Sequence, residues 1–146
     1  MSNSSTANIT KVTTGSKFEK MASYSRAVAV NDWIYVSNTA GRNPVTQQMS
    51  DDVLEQAEQV FANIERALTS LDSTLADVVM SRVFIQNPEH VAIVMPFIGA
   101  KFDGINPATT VTCPPLGSTE YLIEIEVTAF RGLNDHEVKH IDLSQA

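Results

Sequence analysis

The sequence predicts one α+β domain, a mixed β-sheet with two helices packed on one of its faces. Three observations lead there. In Tyr121–Phe130 the residues Ile123, Ile125 and Val127 alternate with Glu124, Glu126 and Thr128, and a period of two sets the apolar group on one face and the carboxylates on the other. In Asp51–Leu71 the positions Val53, Leu54, Ala57, Val60, Phe61, Ile64, Ala67, Leu68 and Leu71 recur at the helical period. Short β-branched runs, Ser25–Val30, Trp33–Ser37 and Val78–Gln86, supply further strands around that helix. A sheet with one apolar face must cover it, and the two helical segments are the candidates. The polar face then meets water, a ligand or another subunit.

In chain order, residues 1–14 read as a flexible tail, small and polar up to about residue 9, although Ile9 to Thr14 has the composition of a short edge strand. Gly15 to Ser23 reads as a loop anchored by Phe18 and Met21. Asn31-Asp32 joins the next two strands as a two-residue hairpin turn, because both residues tolerate positive φ. Tyr24 and Arg26, two apart, share a face, and Ala27 takes the other. Asn38 to Ser50 is loop, punctuated by Gly41 and Asn43-Pro44. Asp51 or Ser50 can cap the long helix, whose positions Glu55, Gln59, Glu65 and Arg66 face away from the core. Pro88 to Phe102 predicts a second helix with Val91, Val94, Met95, Ile98 and Phe102 inward, kinked or split at Pro96, which lacks the backbone donor. Pro107–Thr112 and Tyr121–Phe130 read as two strands joined by a tight connection through Pro114, Pro115 and Gly117. The domain is therefore set at residues 15–132, with a polar tail at 133–146.

Composition excludes several classes of function. A net charge of −7 and a pI near 4.8 argue against nucleic acid or an anionic membrane as partner. The single cysteine, Cys113, excludes an internal disulfide and a cysteine zinc cluster, and suits a reducing compartment. The N-terminal residues lack the basic and apolar regions of a signal peptide, and no apolar run approaches the ~20 residues that span a bilayer, so a cytoplasmic protein is expected. No phosphate loop and no dinucleotide-binding glycine pattern is present, and no cofactor is expected. His136-Glu137-Val138-Lys139-His140 spells H-E-x-x-H, which on a helix would set two imidazoles and a glutamate on one face. The segment is polar and beyond the domain, with little chain after it for a third ligand, so no metal site is expected. His90 reads as a solvent-facing residue at a helix start.

Four segments in order carry a family resemblance: Tyr24-Ser25-Arg26-Ala27-Val28, the strand Trp33–Ser37, Asp77–Phe84, and Asn106–Phe130 with its Pro-Ala, turn and Ile-Glu-Ile-Glu. In these the chain resembles the Rid/YjgF family over about Phe18 to Arg131. The resemblance implies a chorismate-mutase-like sheet and a homotrimer with its sites between subunits. It also implies hydrolysis of 2-imino acids to 2-oxo acids and ammonia. In that family an arginine directly after Pro-Ala grips the substrate carboxylate, a glutamate in the last strand positions water, and a tyrosine lines the pocket. Glu124 falls on the glutamate and Tyr24 on the tyrosine. Thr109 stands where the arginine would be, Ser37-Asn38-Thr39 replaces Ser-Gly-Gln, and Val111 occupies a place where cysteine is frequent. A threonine offers one donor and no charge, so the carboxylate clamp is missing.

The resemblance thus assigns Glu124 as the catalytic base and Tyr24, Arg26, Asn38, Thr109 and Val111 as the substrate-binding set. Arg26 has two readings: a substitute for the missing cation, or the partner of Glu124 or Glu126 in an ion pair. Glu126 reads as structural. Two functions stand: an enzyme adding water to an imine, enamine or related C–N bond, and a non-catalytic ligand-binding or interaction module on the same fold.

Overall fold

The structure, a computed structural model, describes residues 6–145; the first five residues of the tail and Ala146 lie outside the described residues. Six strands form one sheet: β1 (Ile9–Val12), β2 (Ala27–Val30), β3 (Trp33–Ala40), β4 (Val78–Ile85), β5 (Ala108–Thr112) and β6 (Ile123–Phe130), in the spatial order β1-β2-β3-β6-β4-β5. All neighbours are antiparallel except β4 and β5, which run parallel. The sheet is therefore mixed, as the sequence predicts. Helices α2 (Val53–Ser70) and α3 (Val91–Lys101) supply the cover of its apolar face, and a short α1 (Lys17–Ala22) precedes β2. No described helix is long and apolar enough to cross a membrane.

The core lies between the sheet and α2–α3. Ile123, Ile125, Val127 and Ala129 of β6 face it, with Ile34 and Val36 of β3, Val83 and Ile85 of β4, and the α2 stripe of Ala57, Val60, Phe61, Ile64 and Leu68. Phe61 is the aromatic hub: Phe97 and Phe102 meet it edge-on at 5.8 and 5.4 Å between ring centroids. Such packing keeps α3 continuous through Pro96, which forgoes one backbone hydrogen bond, while Val94, Ile98 and Phe102 stay buried. The predicted split at Pro96 does not occur. Only Pro88–His90 departs from the α form, as a 3-10 turn.

Five more expectations are corrected. Pro107–Thr112 and Tyr121–Phe130 do not form a neighbouring pair: β4 lies between β5 and β6, so the Pro114-Pro115 segment crosses the end of β4 instead of making a tight turn. The parallel β4–α3–β5 unit dictates this, because it lays β5 on the free side of β4. The predicted loop at 15–23 contains α1, capped by the Ser16 hydroxyl accepting from the Phe18 N–H at 3.1 Å; six residues are too few to show a helical period. The cap of α2 is Asp52, whose Oδ1 accepts from the N–H groups of Leu54 and Glu55, and not Asp51 or Ser50. Leu54, placed in the apolar stripe, is exposed, and Gln56 is buried instead. The sheet itself begins at Ile9, inside the segment read as a tail, as the edge-strand composition of Ile9–Thr14 suggests. The Asn31-Asp32 hairpin is as predicted, with Asn31 at φ 53° and Val30 paired to Trp33.

Gln56 is the polar brace of this core. Its amide nitrogen donates to the carbonyls of Ser50 (2.6 Å) and Glu120 (2.9 Å), and its oxygen accepts from the Leu122 N–H (3.0 Å). One side chain thus ties α2 to the loop before it and to the chain leading into β6. Gly41 lets β3 end against this point, since a Cβ there would lie 2.5 Å from the Gln56 carbonyl oxygen. Gly41→Ala must displace backbone, so we expect a loss of ~1–3 kcal/mol. Urea unfolding with an unchanged slope and a lower midpoint is the check.

Candidate functional site

The uncovered face of the sheet carries the polar residues of β6. Register places Glu124, Glu126 and Thr128 of β6 there, beside Phe84, Arg82 and Met80 of β4. Trp33 and Tyr35 of β3 lie on the same side, Trp33 packed edge-on against Phe130 at 5.0 Å. Glu126 pairs with Arg82 of β4 at 3.4 Å. Two shallow hollows of about 290 and 370 Å³ lie on this face around Met80 and Arg82. Neither is lined by Glu124, which is half-buried.

Glu124 sits within a chain of contacts. β3 carries a bulge: Val36 opposes Val127 while Thr39 opposes Ile125, so three residues of β3 span two of β6. The surplus residue turns Asn38 toward β6, and its Nδ2 donates to Glu124 Oε2 at 2.6 Å. The Asn38 carbonyl accepts from Arg26 Nη2 at 3.2 Å, and the Arg26 guanidinium lies 5.6 Å from the centre of the Tyr24 ring. Tyr24 follows Ser23, a left-handed residue that ends α1. Burial pushes the Glu124 carboxyl above the ordinary glutamate range, and the nearby Arg26 charge pulls against it without prevailing. Among the described residues Arg26 makes no ion pair with Glu124 or Glu126, which removes the ion-pair reading of Arg26 within one chain.

Of the residues assigned from sequence, Tyr24, Arg26, Asn38 and Glu124 come together. Thr109 and Val111 do not join them within the chain. They pair with Ser81 and Val83, which face the helices, and β4 separates β5 from β6. Thr109 Oγ1 donates to the Pro107 carbonyl (2.9 Å) and meets Ser81 Oγ at 2.7 Å, so its one proton is already committed. The tail residues 136–142 are exposed and not helical, so the condition that would give H-E-x-x-H a common face is not met. His90 is not the fully solvated residue expected: its Nδ1 is buried. Sequence reasoning missed the Asn38–Glu124 bond. The sequence predicts a strand ending at Ser37 with Asn38 in the loop, whereas β3 continues to Ala40 through the bulge.

Two helices on one face of a six-stranded mixed sheet, with a half-buried glutamate on the other, define a YjgF-like α+β protein. The chain belongs to the YjgF/Rid family, whose family model, described as Endoribonuclease L-PSP, matches residues 14–131. A solved YjgF/YER057c/UK114-family protein of Mycobacterium tuberculosis superposes with a TM-score of 0.76 at 31% identity, covering 84% of this chain and 99% of that one. The YjgF gene product of E. coli superposes at 0.69 and 26% identity, over 74% of this chain and 87% of its own. Among curated relatives, the mitochondrial protein MMF1 of Saccharomyces cerevisiae is 28% identical over 106 residues, 73% of this chain and 72% of that protein. A 2-iminobutanoate/2-iminopropanoate deaminase of Dermatophagoides farinae is 32% identical over 65 residues, 44% of this chain and 51% of that protein.

Proposed function

We propose that this protein is a homotrimer that hydrolyses a small imine, enamine or related C–N bond in clefts between its subunits, with Glu124 as the base. The observation that carries the reading is the Glu124 carboxyl itself, buried enough to be raised above its ordinary range and aligned by Asn38 beside the Arg26 cation. A carboxyl poised this way accepts a proton from water more readily than an exposed one. Water adds to the carbon of the protonated C=N bond as Glu124 takes one of its protons. Glu124 returns that proton to the carbinolamine nitrogen and then takes the hydroxyl proton as the C–N bond breaks, so ammonia leaves and the carbonyl forms. An enamine enters the same sequence after taking a proton on carbon. The deaminase relative supports the reaction class.

The geometry within one chain favours a second copy in the site. Glu124 and the pair Thr109 and Val111 lie on opposite faces of one sheet, so only a neighbouring subunit can bring a β5 edge to a Glu124. The uncovered face, with Trp33, Tyr35 and Met80 exposed, is the surface such a neighbour would cover. The net negative charge disfavours an RNA backbone as substrate. The protein is expected to have a trimer mass by light scattering at micromolar concentration, and to release ammonia and a carbonyl product from imines formed in situ. A monomer mass would remove the inter-subunit site. A trimer inert toward every imine offered would favour the second reading, a binding module, which the missing arginine at Thr109 already recommends.

A further inference from the structure

Asn38 is the place where this chain departs from the glycine of the Ser-Gly-Gln pattern and adds a side chain against Glu124. The fold goes to some length to seat it. Ser37 Oγ donates to the Ser25 carbonyl (2.7 Å), the Ser37 N–H to the Arg26 carbonyl (3.0 Å), and Thr39 Oγ1 to the Ser37 carbonyl (2.7 Å), which pins the bulge from three sides. The amide nitrogen faces Glu124 Oε2 at 2.6 Å, the end that attracts a carboxylate; the oxygen would repel it. The other end of the amide, Oδ1, is buried without a donor among the described residues, an arrangement that glycine or alanine would avoid. The Asn38 side chain therefore serves stability poorly, and its one hydrogen bond among the described residues is to the carboxylate.

We propose that Asn38 is a positioning residue that holds Glu124 in its ionised, proton-accepting form and fixes which of its oxygens is free. Oε2 is occupied by the amide, which leaves Oε1 to receive the proton of water. The charged and titratable groups around Glu124 are Arg26 before β2, Tyr24 ahead of it, and the Arg82–Glu126 pair on β4 and β6. The Arg26 charge opposes the effect of burial on the carboxyl, and the Asn38 amide adds a direct hydrogen bond to one of its oxygens, a bond that favours the charged form. The role in turnover rests on the hydrolytic reading above, whereas the hold on the carboxylate does not.

The test is a carbon-13 titration of the Glu124 side-chain carboxyl, its signal assigned by loss in Glu124→Gln, in the wild type, Asn38→Ala and Asn38→Asp. Removing a short donor to a carboxylate should raise the Glu124 midpoint by about one pH unit, a tenfold change in proton affinity. Asn38→Asp, the same size but an acceptor only and negatively charged, should raise it further. Thermal midpoints of Asn38→Ala should be equal to or above wild type in acid, where Glu124 is protonated and only the orphaned Oδ1 is removed, and should fall relative to wild type as pH rises and the carboxylate loses its donor. In the imine assay the pH at which kcat/KM rises should move with the carboxyl midpoint. An Asn38→Ala midpoint within a few tenths of wild type, or a destabilised variant with an unmoved midpoint, overturns the proposal. Shifted midpoints in a protein that turns over no imine uphold the positioning and defeat the reaction.

Discussion

Glu124→Gln is expected to lower kcat/KM for ammonia release by about two to four orders of magnitude, the usual contribution of a general base. Glutamine keeps the shape of the side chain and an oxygen for Asn38 to donate to, so the loss is of proton acceptance and not of architecture. In the wild type, kcat/KM should rise with pH through a midpoint above the ordinary glutamate value, because burial raises the Glu124 carboxyl. The same shift sets the sign for stability. A carboxyl raised on folding stabilises the fold in its protonated form, fully below the unfolded value of pH ~4.3, and loses that contribution as pH rises through its folded value. At pH 7 the buried charge is a liability, so Glu124→Gln should unfold at the same or a higher temperature than wild type. That advantage should vanish in acid. A variant that is both inactive and less stable at pH 7 would mean that Glu124 serves the fold.

The second large effect is a weakness of the wild type. Toward 2-imino acids, which carry a carboxylate, kcat/KM should fall roughly one to four orders of magnitude below that of relatives with arginine at position 109, the loss expected when a bidentate charged contact worth ~2–5 kcal/mol is missing. Thr109 cannot compensate, because its hydroxyl proton goes to the Pro107 carbonyl and its oxygen to Ser81. Arg26 is the cation beside Glu124, free of a carboxylate partner among the described residues and stacked near Tyr24. If Arg26 is the substitute clamp, Arg26→Ala removes the residual activity on carboxylate-bearing imines and spares uncharged ones. Thr109→Arg should raise activity if the other half of the cleft is intact. Wild-type turnover equal to that of the arginine-bearing relatives, and indifferent to Arg26→Ala, would remove both statements.

Much of the fold was legible because it rests on period. The alternation in β6 and the stripe of α2 are local patterns, and both survive in the structure because the same residues that set the pattern fill the core. What escaped was set by contacts distant in sequence. Nothing in Pro107–Phe130 says that β4 lies between its two strands; that follows from the parallel pairing created by α3. Pro96 predicts a break by local rules, and packing of Phe97 and Phe102 on Phe61 overrides it. At the site, parity set Tyr24 beside Arg26 and Glu124 beside Glu126 and Thr128, and the family resemblance alone brought the two groups together. The bond from Asn38 could not, because a bulge changes the parity of a strand partway along, and only its partner strand reveals where. Gln56 was invisible for a related reason: its three partners, at Ser50, Glu120 and Leu122, lie in segments with no periodicity.

The most direct measurement is a subunit-mixing experiment on the inter-subunit cleft. Glu124→Gln lacks the base, and Val111→Arg fills the β5 side of the proposed cleft from an exposed edge-strand position where a large side chain can be accommodated. Each variant alone should be nearly inactive. Co-expressed, they assort at random, and a cleft that takes Glu124 from one subunit and Val111 from the next is intact in roughly one case in four. The mixed protein should therefore recover roughly a quarter of wild-type kcat per site, in an oligomer of trimer mass. If both residues serve a site within one chain, no assortment restores it, and mixed oligomers as inactive as their parents would contradict the cleft between subunits.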